Sequence, residues 1–232
     1  MTLAASSSRI TVALPGGKAD VSAELIAPSS PWAFAAIAHG AGAGFRHPFL
    51  LGFADALSRE GVAALRFNFP YVEAGRRMPG PAAHAVATWR AVHDELSRAA
   101  AGAPVFAIGK SYGGRMASMA AAEHAIDPHG LVYLGYPLHP PGRPDKARVS
   151  HLPDVPQPQL FVTGTNDPFS EPHGQLEDAV ASCRTAEIAW IPGGGHSFEV
   201  KGTRRAPAEV GAELAPLVAE WLRRGQPAGG PT

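Results

Sequence analysis

The sequence predicts an α/β fold, a mostly parallel sheet wrapped by helices, and three observations lead there. Short unbroken apolar runs recur at 32–38, 62–67, 105–108, 131–134, 160–162 and 188–191. Strands of that kind belong to a sheet covered on both faces, because neither side of the strand meets water. Between most of these runs lie segments with helical spacing, so strand and helix alternate along the chain, as a parallel sheet requires. Finally, 232 residues with 45% hydrophobic content suit one domain with a sizeable core. The 26 glycines and 23 prolines then read as punctuation between elements.

Taken in order, the first element is a hairpin, since Ile10, Val12 and Leu14 alternate on one side of Gly16-Gly17 and Val21, Ala23 and Leu25 on the other. Residues 1–8 are expected to be a flexible N-terminus, residues 9–224 the domain, and 225–232 a flexible tail. Pro48 precedes Phe49, Leu50, Phe53 and Leu57, which places proline in the first turn of a helix. Val86, Trp89, Val92 and Leu96 make a second helical stripe, closed by Gly102 and Pro104. Val210, Leu214, Val218, Trp221 and Leu222 make another near the C-terminus, where Pro216 is expected to introduce a kink. Residues 137–158 break the rhythm with seven prolines and no stripe. They are expected to form a loop crossing the surface, too short for a lid domain.

Charge and cysteine content exclude several roles. Twenty basic residues balance twenty acidic ones, which leaves no footprint for nucleic acid or an anionic membrane. Cys183 is the single cysteine; it follows an expected helix, lies far from the expected site, and reads as a packing or surface residue. The start, MTLAASSSR, lacks the basic stretch and apolar core of a secretory signal, so cytoplasm is the expected location. No apolar run approaches the ~18 residues needed to span a bilayer. The sequence has no H-E-x-x-H, cysteine pair or aspartate run to suggest a metal, and no cofactor is expected.

The chemistry concentrates at strand ends. After the 105–108 run stands Gly109-Lys110-Ser111-Tyr112-Gly113, followed by a good helix former. This is G-x-S-x-G between a strand and a helix, a turn that presents the serine at a helix N-terminus. A phosphate-binding loop ending in Gly109-Lys110-Ser111 would need glycine where Pro104 stands. A serine needs a base, and the base needs a third group to orient it. Asp167 follows the 160–162 run and His196 follows the 188–191 run, in the chain order Ser, Asp, His expected with this turn. Asp145, Asp154 and Glu171 are rival acids, while His84, His93 and His124 read as solvated or satisfied side chains. Oxyanion donors are expected from the backbone N–H of Tyr112 and from the loop His39-Gly40-Ala41-Gly42-Ala43-Gly44, with Ala41 first, Gly42 second and His39 structural. That loop does not complete a dinucleotide fingerprint, since its third glycine would fall at His47.

Together these residues resemble the α/β-hydrolase superfamily. The stretches His39-Gly-Ala-Gly-Ala, Leu65-Arg-Phe-Asn-Phe-Pro-Tyr71 with Gly75-Arg-Arg77, Gly109-Lys-Ser-Tyr-Gly-Gly-Arg115 and Gly164-Thr-Asn-Asp-Pro-Phe169 look more closely like one predicted hydrolase family. That family includes a testis-expressed protein and the third subunit of the nonspecific-lethal chromatin complex, and it has bacterial members related to dienelactone hydrolases. The likeness spans about residues 9–224 and implies an eight-stranded sheet with one antiparallel strand. It implies no substrate. The dienelactone relatives use a cysteine nucleophile, whereas Ser111 occupies the turn here.

The expected function is therefore hydrolysis of a small-molecule carboxylic ester or thioester through an acyl-Ser111 intermediate, in an open site suited to small or exposed acyl groups. Arg46, Arg66, Arg76 and Arg77 lie near the same edge, and Arg76 and Arg77 are candidates to bind a substrate carboxylate. A non-catalytic interaction scaffold and an acyltransferase with the same residues are the competing readings. Oligomeric state is left open by the sequence.

Overall fold

The computed structural model describes residues 3–225. Eight strands form one sheet: β1 (Leu3–Leu14), β2 (Gly17–Pro28), β3 (Ala33–Ala38), β4 (Val62–Phe67), β5 (Val105–Lys110), β6 (Leu131–Leu134), β7 (Gln159–Gly164) and β8 (Ala186–Ile191). Their spatial order is β1-β2-β4-β3-β5-β6-β7-β8. Strand β2 runs antiparallel to both its neighbours, and every pairing from β4 to β8 is parallel. The sheet is thus eight-stranded with one antiparallel strand, as the resemblance implies.

The helices α1 (Pro48–Arg59) and α6 (Pro207–Arg224) cover one face, where Phe49, Phe53, Leu57, Val210, Leu214 and Val218 pack on the strands. On the opposite face lie α3 (Ala82–Ala100), α4 (Tyr112–Ala122) and α5 (His173–Ala181), with Trp89, Val92, Met116 and Leu176 in the second core. The expected stripe of α3 is buried at Val86, Trp89, Val92 and Leu96. Strands β4 to β7 are buried along their whole length, which explains their unbroken apolar runs. Among the described residues, no helix is long and apolar enough to cross a membrane.

Three expectations change. Residues 3–8 are not a flexible arm but the first half of β1, in register with β2 from Leu3 opposite Pro28 to Ser8 opposite Ala23. The backbone ladder holds this edge strand while its side chains stay largely exposed, so no apolar alternation marks it. Residues 1–2 and nearly all of the expected C-terminal tail, 226–232, lie outside the described residues. Helix α6 runs from Pro207 to Arg224 with Pro216 inside it. Segment 137–158 contains two short 3₁₀ turns, Pro144–Lys146 and Leu152–Asp154, and it is pinned rather than merely lying on the surface. Leu138, Leu152 and Val155 are fully buried, the Tyr136 hydroxyl donates to the Arg148 carbonyl at 2.9 Å, and Arg148 N–H donates to the Leu138 carbonyl at 2.8 Å. The helix expected ahead of Cys183 is α5, whereas the single turn α2 (Pro70–Glu73) was not foreseen.

Candidate active site

Ser111 stands between the end of β5 and the start of α4, with φ 49° and ψ −116°. A residue with a Cβ adopts this left-handed region only where its surroundings over-determine it. Here the strand and helix are nearly in backbone contact. A Cβ on Gly109 would come within 2.1 Å of the Gly114 nitrogen, and one on Gly113 within 2.7 Å of the His39 carbonyl oxygen. The two glycines of G-x-S-x-G are required by those approaches.

Strands β7 and β8 run parallel to β5, so the loops after them emerge at the same edge. Asp167 lies three residues beyond the end of β7 and His196 five beyond the end of β8. Asp167 is fully buried. One of its oxygens accepts from Phe169 N–H at 2.9 Å and the other lies 2.8 Å from His196 Nδ1. A carboxylate can only accept, so the proton belongs on Nδ1 and Nε2 is the acceptor. The Ser111 hydroxyl donates to Nε2 at 2.9 Å. Burial is the leading influence on His196 and lowers its pKa below the ordinary histidine value; the Asp167 hydrogen bond opposes this, and nearby Lys110 adds to it. The ring of Phe169 lies 4.1 Å from that of His196, centroid to centroid, and limits its movement. The rival acids are elsewhere: Asp145, Asp154 and Glu171 are all exposed.

The loop after β3 approaches the serine from the other side. A Cβ on Gly40 would stand 3.6 Å from Ser111 Cβ. Ala43 N–H donates to the Gly40 carbonyl at 3.3 Å, closing a turn in which Gly42 has φ 74°, the conformation that favours glycine at the third turn position. Ala41 and Tyr112 line the cleft beside Ser111, and Gly42 is not among the lining residues. His39 is structural: it is fully buried, Nδ1 lies 2.8 Å from the Gly40 carbonyl, and Nε2 accepts from Phe69 N–H at 3.3 Å.

A family model of the alpha/beta hydrolase domain matches residues 33–222. The chain belongs to the α/β-hydrolase family. Solved structures of the same fold include a dienelactone hydrolase from Anabaena variabilis, 23% identical with a TM-score of 0.72, covering 95% of this chain and 98% of that one. An α/β serine hydrolase without a lid from Xanthomonas campestris is 21% identical with a TM-score of 0.73, covering 97% of each chain. The esterase domain of a Rhodothermus marinus protein is 18% identical with a TM-score of 0.67, covering 97% of this chain and 99% of that one. The narrower likeness to the testis-expressed and nonspecific-lethal group rests on the sequence motifs alone.

In this α/β hydrolase, Ser111 and His196 open onto a cleft of about 640 Å³. The arginines singled out in the sequence do not line it. Arg76 and Arg77 are exposed on the stretch after α2, Arg46 lies over the Phe45 ring, and Arg66 is buried against Glu24 and the Phe45 carbonyl. The cleft is lined instead by Lys110, Arg115, Arg148, Arg205 and Glu199. Lys110 directly precedes the serine and donates from Nζ to the His196 carbonyl at 2.8 Å; burial pushes its pKa down to about 8. Its place before Ser111 was the available signal for Lys110, and the helical i, i+4 relation to Ser111 was the signal for Arg115. Arg148 had none, because it sits in an aperiodic proline-rich stretch. Cys183 follows α5, half-buried, with its thiol against the Ala179 carbonyl. Among the described residues, no group of three or more His, Cys, Asp or Glu is placed to hold a metal ion.

Proposed function

We propose that this protein is a cytoplasmic serine hydrolase that cleaves carboxylic esters or thioesters through an acyl-Ser111 intermediate. The observation that carries the reading is the continuous chain from Ser111 Oγ to His196 Nε2 at 2.9 Å and from His196 Nδ1 to Asp167 at 2.8 Å. As Ser111 Oγ bonds the acyl carbon, its proton passes to His196 Nε2 and the carbonyl electrons collect on oxygen. The N–H groups of Tyr112 and Ala41 receive that oxyanion; Ala41 is preferred to Gly42 because it lines the cleft. Such donors are each worth about 10²–10³ in rate. Collapse of the tetrahedral species expels the alcohol or thiol, which takes the proton from His196. Water then attacks the acyl group as His196 removes its proton, and release of the acid restores Ser111.

The absence of a lid within 137–158 supports small or exposed acyl groups, and the names of the Anabaena and Rhodothermus neighbours agree with ester cleavage. A scaffold without chemistry has no need of a left-handed Ser111 beside an oriented imidazole. Incubation with a fluorophosphonate probe tests the reading. The protein is expected to label at Ser111 and lose all labelling on Ser111→Ala. Equal labelling of that variant, or no labelling of folded protein, would sink it.

A further inference from the structure

Four cationic side chains line the cleft, Lys110, Arg115, Arg148 and Arg205, against one lining carboxylate, Glu199. Two of the four are already engaged. Arg205 pairs with Glu213, and Lys110 is directed at the His196 carbonyl. The other two have no such partner: among the described residues no carboxylate lies within ion-pair distance of Arg115 or Arg148, and neither guanidinium donates a hydrogen bond. The Nε of Arg115 is buried and unpaired. Loss of solvent is the leading influence disfavouring the charge on Arg115, and the positive charge of Arg148 adds to it. Two partly buried like charges without a counter-ion are costly, so this wall is short of one anion.

Both residues are held firmly. Arg115 lies one helical turn beyond Ser111, with its N–H donating to the Ser111 carbonyl at 3.1 Å. Arg148 is fixed through its backbone on both sides, by the Tyr136 hydroxyl and the Leu138 carbonyl. The neighbouring titratable groups are Tyr112, Tyr136 and His151, and His151 is kept neutral by burial and by Arg115 itself. None of them supplies a negative charge at neutral pH. Planar guanidiniums match a planar carboxylate through paired N–H donors.

We propose that Arg115 and Arg148 bind a carboxylate carried by the substrate, so that the enzyme acts on esters or thioesters that bear a second, free acid group. The inference rests on the serine hydrolase reading and sharpens its substrate class. It also gives the pinned 137–158 segment a role, which is to hold Arg148 over the cleft in the place where relatives with a lid would close it.

The test separates binding from chemistry. In the Ser111→Ala protein, calorimetry with monomethyl glutarate should show binding at least roughly tenfold tighter than with dimethyl glutarate, the discrimination expected of one charge-assisted hydrogen-bonded pair. Arg148→Gln and Arg115→Gln, each added to Ser111→Ala, should remove that preference, and Arg148→Lys should restore part of it. In active enzyme, the ratio of kcat/KM for p-nitrophenyl hydrogen glutarate over its methyl ester should exceed one and fall towards one in both arginine variants. Arg115 lies next to the serine turn, so if Arg115→Gln does not fold, Arg148→Gln decides. The proposal is overturned if the acid and the diester bind equally, if the preference survives Arg148→Gln, or if inorganic phosphate binds at least as tightly as monomethyl glutarate. Arginine-dependent binding in a protein that no fluorophosphonate labels would support the anion site and overturn the hydrolase reading. Labelling without acid preference would do the reverse.

Discussion

At the scale of single residues, Lys110 has the largest consequence beyond Ser111, His196 and Asp167. It is a nearly buried cation placed directly before Ser111, the proposed nucleophile, with its ammonium on the backbone carbonyl of His196, the proposed base. Two effects follow. The hydrogen bond fixes the chain at His196, and the positive charge disfavours a second positive charge on the imidazole. The groups facing His196 are Asp167 and Glu199, which favour its protonation, and Lys110, which opposes it. Burial and Lys110 together favour the neutral imidazole and lower its pKa below the ordinary histidine value of 6.5. The acidic limb of kcat/KM is therefore expected below pH 6.5. Lys110→Met should move that limb upward by about half a unit to one unit, since removing a neighbouring cation makes protonation easier. It should also lower kcat/KM roughly ten- to hundredfold through looser placement of the base. Lys110→Arg should keep the limb near its original position. A pH–rate profile of the three proteins checks this; a limb that stays in place in Lys110→Met would mean that the lysine only fills space.

At the scale of elements, the site depends on how closely α4 lies against β3 and β5. Gly113 faces the backbone of β3 and the loop after it, where a Cβ would meet the His39 carbonyl oxygen at 2.7 Å and Ala38 Cβ at 2.8 Å. Neither neighbour is a flexible side chain, so Gly113→Ala must push the helix and the strand apart. A loss of about 1–3 kcal/mol is expected, as for other overpacked sites, measured as a lower urea midpoint. Fluorophosphonate labelling of the folded fraction should slow as well, because the same shift moves Ala41 relative to Ser111. An unchanged midpoint would show that the contact relaxes freely.

This dependence on close approach also explains what the sequence disclosed. The serine turn was legible because its glycines, serine and flanking elements are local. Asp167 and His196 were legible because each follows a strand with a recognisable apolar run, fully buried in β7 and half-buried in β8. The cleft wall was not, because Arg115 and Arg148 come from a helix and an aperiodic loop, and their meeting is a property of the packed fold. Helix α5 was placed only by its position ahead of Cys183 and carried no apolar stripe, since only Leu176 and Ala179 of its nine residues are buried. The first half of β1 escaped for a related reason: a run containing Ser6, Ser7 and Ser8, exposed on both faces, owes its strand geometry to the ladder with β2 and carries no signal of its own.

At the scale of the whole molecule, two hydrophobic layers sandwich the sheet, and the loops gather at one edge of it, where chemistry and stability share residues. His39 is the clearest case. It ends the β3 layer, donates from Nδ1 to the Gly40 carbonyl and accepts at Nε2 from Phe69 N–H, so it ties the proposed oxyanion loop to the segment leading into α2. Both partners demand the neutral ring, and protonation would set two N–H groups against each other. Burial pushes its pKa from 6.5 down to about 4. Between those values the unfolded chain takes up a proton that the folded chain refuses, so stability increases with pH across the window. The contribution is complete above pH 6.5 and is lost progressively as pH falls to about 4. Over the full window it amounts to about 3 kcal/mol, and between pH 7 and pH 5 to about 2 kcal/mol. A glutamine at this position can still donate and accept but cannot titrate. Urea unfolding of wild type and His39→Gln across this range should show wild type losing more stability on acidification, by about 2 kcal/mol between pH 7 and pH 5. Other buried histidines act equally in both proteins, so the difference isolates His39. Parallel stability curves would mean that His39 is protonated without cost, and that the loop beside Ser111 tolerates a charge beneath it.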